Sequence, residues 1–365
     1  MRGTERARPG LSRARIRVAL AGAAIGLGLA LMPALGQGAD SRPLLDGAGR
    51  RVEVPSRVER VYAAGGPATI FLYALAPDAL LGWTRPLTPE EQAFIPAPYG
   101  GLPVLGRLTG RGNTASVEVV LAARPHVILD YGVVSPTYVA LADRIQQQTG
   151  VPYLLYVGSL PAMPRALEQA GELLGVRDNA ARLARYAEGV LRDVDARVAR
   201  VAPERRPRFY YARGPRGLET ATKGAINVEG IERLGARNVV GERPGAPGTT
   251  VVSPEQVLGW DPEVLITIDP AFFAAVRTDP VWRNIRAVKD GRVHLVPPDP
   301  FPWVDSPPSV NRLIGLRWLG RVLYPDLFPE DLRQETRTFY TLFYHRAPDD
   351  RQLDALLAGL ERGRP

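Results

Sequence analysis

The chain of 365 residues has no cysteine, only two lysines and only three histidines. Without cysteine there is no disulfide scaffold, no thiolate zinc or iron–sulfur site, no thiol nucleophile and no lipoprotein anchor. His126, His294 and His345 are scattered, whereas a bare-cation site needs clustered histidines and carboxylates. His126 precedes an apolar strand-like run and His294 lies in one, which marks both as structural. No resident metal or cofactor is expected. A Gly-x-Ser-x-Gly elbow, a His-Glu-x-x-His pair and a Gly-Lys-[Ser/Thr] phosphate loop are all missing. An exported hydrolase working through two carboxylates remains the rival class. Long apolar runs are scarce too, and only residues 18–31 qualify.

What is there begins with arginine. Residues 1–36 hold six arginines against Glu5, so they carry +5 of the net +8. The remaining +3 does not support a polyanion-binding stripe, and no nucleic-acid partner is expected. Arg13, Arg15 and Arg17 precede the apolar run, and Met32-Pro33-Ala34-Leu35-Gly36 follows it. This is the order of an export signal cleaved after Gly36. The run is short of the roughly 20 residues that a spanning helix needs. A periplasmic protein, free of a lipid anchor, is expected.

From there strand and helix patterns alternate. Residues 44–55 read as a hairpin; 58–63, 79–82, 127–130 and 151–156 as strands; 68–75 and 136–149 as helices. Residues 163–174 are helical. A second helix starts at Asp178-Asn179 and carries Leu183, Ala187, Val190, Val194, Val198 and Val201 on one face. At about 35 Å it suits a brace between two lobes. Strand patterns resume at 208–212, 264–268 and 293–296, with a helix at 226–234, and the tail is helical. The fold class is α/β, with mostly parallel sheets.

One stretch occurs twice. Ser116-x-Glu118 leads through Val120-Leu121 and Pro125 to Val127. Ser253-x-Glu255 leads through Val257-Leu258 and Pro262 to Val264. The offset is 137, and six of 14 positions are identical. Each copy reads as a serine cap, a first-turn glutamate that complements the helix dipole, a short helix, a break and a buried strand. Two such carboxylates on matching lobe tips suit two basic pockets on a two-fold symmetric partner.

Together with the 46–55 opening, the inter-lobe helix, Asp279-Pro280-Val281-Trp282 leading to Gly291-Arg292-Val293, and Pro307-Pro308-Ser309, this repeat resembles the class III periplasmic substrate-binding proteins of ABC importers. These serve ferric siderophores, haem and cobalamin, and some relatives take molybdate or tungstate. The resemblance implies two Rossmann-like lobes joined by a long rigid helix, with ligand in the cleft between them. It implies a signal at 1–36, a first lobe at 37–160, a helical segment at 161–203 and a second lobe with its tail at 204–365. It also implies that Glu118 and Glu255 dock on arginines of the permease dimer, that the chain is a monomer, and that it is not an enzyme.

Ligands of open α/β lobes sit beyond the strand carboxyl ends. The residues near those ends are Trp83, Arg85 and Tyr131 in the first lobe, with Tyr99 on a long loop. In the second they are Tyr211, Arg213, Lys223, Asp269 and Trp303. Arginine with Tyr and Trp suits a bulky anion, through charge-assisted hydrogen bonds and flat walls. A ferric siderophore is the first expectation. A cobalamin or other metal chelate, or a molybdate-type oxoanion, are the alternatives.

Overall fold

The structure, a computed structural model, describes residues 40–361 except 111 and 243; the expected export signal lies outside them. The described chain opens with an antiparallel hairpin, β1 (Ser41–Leu45) on β2 (Arg51–Pro55). Its turn is closed by Asp46, whose carboxylate accepts from Ala48 N and Arg50 N at 2.9 Å. Gly49 supplies the left-handed residue at φ 76°.

Three strands form the first parallel sheet in the order β3 (Val61–Ala63), β4 (Val127–Gly132), β5 (Tyr153–Val157). Four form the second: β11 (Val293–Leu295), β10 (Val264–Thr267), β6 (Arg208–Ala212), β8 (Arg237–Asn238). An antiparallel pair, β7 (Glu219–Ala221) with β9 (Thr249–Val251), stands beside the second sheet. Strands β4 and β10 are buried from end to end but for Gly132, as helix-covered parallel strands must be. The expected strand at 79–82 is instead a short turn, Pro77–Ala79, and one bridge from Leu80 to Val61. Pro77 starts that turn, so little length is left before Gly82 for a ladder to form.

Helix Arg177–Val198 links the two halves and spans roughly 33 Å. Its apolar stripe, Leu183 through Val198, is buried as the spacing predicts. It does not begin with a side-chain cap at Asp178-Asn179. Val176 occupies the cap position, and Asn179 instead donates to Leu75 O at 2.8 Å, on the first-lobe helix Gly66–Leu75. Near its other end Asp195 accepts from Arg233 of the second half at 2.7 Å. The helix is therefore tied at both ends.

The tail returns to the first half. Helix Leu332–Phe343 packs on Gly66–Leu75, and Tyr73 donates its hydroxyl to Tyr344 O at 2.7 Å. The chain therefore crosses between the halves twice, once through the long helix and once through residues 296–312. Among the described residues no helix is long and apolar enough to cross a membrane.

Candidate ligand cleft and docking edge

The carboxyl ends of β5 and β6 meet in a polar cluster that the last helical segment completes. Arg312 begins the helix Arg312–Leu323 and is 1% exposed. Its guanidinium donates to Glu229 Oε2 at 2.7 Å, to Ser309 O at 3.2 Å and to Gly158 O. Glu229, at the start of helix Glu229–Arg233, also accepts from Leu160 N at 3.0 Å. One partly buried ion pair thus clamps the loop after β5 to the second half of the chain.

A second carboxylate, Asp305, is fully buried. It accepts from Tyr211 Oη at 3.0 Å and Asn227 Nδ2 at 2.9 Å, and Arg213 Nε stands 3.6 Å away. Arg213 also pairs with Glu219 at 3.0 Å. Beyond Asp305, Pro307 lies against Gly66, and Ser309 donates to Pro67 O at 2.8 Å. The 305–309 loop therefore joins the neighbourhood of Arg213 to the start of helix Gly66–Leu75. That start has no side-chain cap and no acidic residue in its first turn. Gly65 is required there, because a Cβ would reach within 2.5 Å of Thr109 Oγ1.

The structure brings three of the sequence-derived candidates to this region: Tyr131, Tyr211 and Arg213. Tyr131 stacks on Phe71 at 4.3 Å between ring centres, and its hydroxyl lies beside Arg312 in no well-formed hydrogen bond. Burial pushes its pKa up to about 12. The other candidates are engaged elsewhere. Trp303 is buried and donates to Tyr340 Oη at 3.0 Å; Trp83 is buried between Tyr73 and Phe301 and donates to Tyr99 O at 2.8 Å. Tyr99 itself donates to Asp78 at 2.8 Å. Arg85 forks onto the Glu91 carboxylate, and Lys223 pairs with Glu242 at 2.8 Å on the surface. Asp269 caps the helix Pro270–Ala275 by accepting from Phe272 N at 3.0 Å. The sequence reading passed over Arg312 and Glu229. The one available signal was an arginine at the head of the apolar run Leu313-Ile314-Gly315-Leu316.

Asp130, on β4, is 7% exposed and accepts from Tyr131 N at 2.9 Å, with Tyr153 Oη at 3.3 Å and Thr109 Oγ1 at 3.4 Å. Burial raises its pKa from 3.8 to about 6 against these donors. A carboxyl whose folded pKa is raised stabilises the protein below its unfolded pKa and loses that stability as pH climbs through the folded one. An Asp130→Asn variant is thus expected to exceed wild type by about 2–3 kcal/mol at pH 8. The gap should close by pH 4 in urea titrations. His294, lowered to about 4 by burial and by Arg292 and Arg277, titrates in both proteins and cancels. A gap independent of pH would contradict the assignment.

The repeat takes the same form in both copies. Helices Val117–Ala123 and Pro254–Trp260 have seven residues each. Each ends on a left-handed non-glycine residue, Arg124 at φ 47° and Asp261 at φ 42°, again 137 apart. Each feeds a strand, β4 or β10, flanked by strands on both sides. Ser253 forms a capping box with Gln256, whereas Ser116 makes no bond to the helix backbone. In both copies the serine hydroxyl bonds the glutamate two residues on, and with the glutamate's own N–H this holds Glu118 and Glu255 below the usual carboxylate pKa. Both lie at the strand carboxyl edge. Ala115 N bonds Arg107 O while Leu108 N bonds Ala64 O, just after β3; Val252 N bonds Leu218 O beside the Arg213–Glu219 bridge after β6.

Two parallel sheets tied by one long helix, with a polar cluster at the strand ends, define a two-lobed ligand-binding protein. The pattern of the periplasmic binding protein family matches residues 103–300. The chain is 33% identical over 161 residues to the molybdate-binding protein MolA of Haemophilus influenzae, a match covering 42% of this chain and 44% of MolA. It is 25% identical over 221 residues to YvrC, an ABC transporter substrate-binding lipoprotein of Bacillus subtilis, covering 59% and 67%. An ABC transporter solute-binding protein from Sulfurospirillum deleyianum superposes with a TM-score of 0.80 at 27% identity, over 87% of this chain and 99% of that one. Molybdate-bound MolA shares the fold with a TM-score of 0.70 at 23% identity, over 84% and 99%. The chain belongs to the periplasmic binding protein family, in its class III group of ABC-transporter components.

Proposed function

We propose that this chain captures a compact oxoanion of the molybdate or tungstate class in the periplasm and delivers it to an ABC permease. The carrying observation is the fate of the aromatic residues. Trp83, Tyr131, Tyr211 and Trp303, the walls that a bulky ferric siderophore would need, are all at most 3% exposed. What remains at the strand ends is Arg213 and an uncapped helix start at Gly66. The Gly66 N–H at this helix start, where Pro67 has none to offer, and a guanidinium suit a small anion. The carboxylates of Asp305 and Glu219 hold that guanidinium in position. The likeness to MolA, whose name records molybdate binding, supports the same class. Residues 1–36 act as the export signal in this reading, and Glu118 and Glu255 meet arginines on the permease dimer.

Native mass spectrometry with elemental analysis of the protein purified from periplasm tests the cargo. Molybdenum or tungsten with a small added mass is expected. Iron with an organic chelator, or cobalt in a corrin, would replace the oxoanion reading. In calorimetric titrations with molybdate, Arg213→Gln is expected to weaken binding about 10–100-fold, as loss of a charge-assisted contact does. Unchanged affinity would remove Arg213 from the site.

A further inference from the structure

Six large apolar side chains are prominently exposed among the described residues. Two of them are Leu121 and Leu258, which occupy equivalent positions of the repeat, 137 apart. They are 47% and 40% exposed. Their helices turn Val120 and Val257 fully inward, so the leucines are not the buried side of the helix. Each leucine follows its glutamate, Glu118 or Glu255, by three residues. That spacing sets both side chains on one helix face. Each leucine leaves a large part of its apolar surface in water on a seven-residue helix, and it does so in both copies.

We infer that Leu121 and Leu258 are paired apolar anchors for the two-fold symmetric permease dimer, each entering an apolar recess beside the basic pocket that takes the neighbouring glutamate. The inference rests on the docking reading of Glu118 and Glu255. It adds the source of affinity, since exposed charges mainly set encounter rate and register, whereas a buried leucine contributes by removing apolar surface from water. The pseudo-two-fold duplication selects the occupant. A partner without that symmetry would meet only one Glu–Leu pair at a time.

The test uses the full chain, fluorescently labelled, binding to spheroplasts of the native host deleted for its own copy. Wild type is expected to bind saturably. Leu121→Ser and Leu258→Ser should each weaken binding about tenfold, and the double variant about a hundredfold. Thermal stability should change little, because neither side chain is in the core. Leu45→Ser, at a site 68% exposed on the hairpin, should bind as wild type and controls for loss of any surface leucine. Wild-type binding by the leucine double variant, while Glu118→Ala with Glu255→Ala fails to bind, overturns the anchors and leaves the glutamate docking intact. Normal binding by both double variants overturns the docking reading and this one with it.

Discussion

If the proposed cargo and docking hold, labelled molybdate uptake is expected to fall to background in a Glu118→Ala, Glu255→Ala double variant, while the purified protein keeps wild-type affinity and nearly its wild-type melting temperature. The separation follows from position. Both carboxylates are on the surface, at the starts of short helices on the cleft edge, and neither touches the Arg213–Asp305 cluster. Each takes its hydrogen bonds from its own serine and its own backbone N–H, so its loss leaves no buried partner unpaired. The helices keep their remaining contacts, and a fully exposed first-turn acid adds little to its helix. A two-fold partner meets the two charges at two separate pockets, so each single variant should retain part of the transport. Full uptake by the double variant would remove the glutamates from docking.

Arg312→Met is the second large effect, on stability. The arginine is 1% exposed and ties Glu229, Ser309 O and Gly158 O together across the two halves. Methionine fills the volume but leaves a partly buried carboxylate and two carbonyls without their donor. Removing one member of a buried pair costs about 3–5 kcal/mol, read as a drop in the urea midpoint. Pairing it with Glu229→Gln should recover part of the loss, because the stranded charge is then gone. Arg57→Ala provides the contrast. Arg57 pairs with Glu59, but their side chains are 85% and 54% exposed, and such a pair is worth at most about 1 kcal/mol. Equal losses at positions 312 and 57 would deny the clamp.

The two arginines also differ in what each could do for a ligand. Arg213 keeps 16% of its side chain exposed and has carboxylates on two sides. Arg312 is enclosed and its guanidinium already serves three acceptors. Arg213 is therefore the candidate for binding, and Arg312 ties the two halves together.

Much of this was determined by sequence alone. The alternation of strand and helix, the stripe of the long helix and the duplicated Ser-x-Glu unit are local signals. Each is written in the spacing of neighbouring residues, and local backbone preferences with apolar periodicity are enough to read it. The repeat even predicted equivalent places in two sheets, because the helix, break and strand of each copy are contiguous. What sequence left undecided was which aromatic and charged side chains face a ligand and which serve the core. Tyr211 is claimed by Asp305, 94 residues away, and Trp303 by Tyr340, 37 away. Arg312 reaches Gly158, 154 residues back. Burial and pairing of that kind depend on which distant segments pack together, and no local spacing carries that information. Only the tertiary structure could turn the expected aromatic walls into core and leave Arg213 at the strand ends.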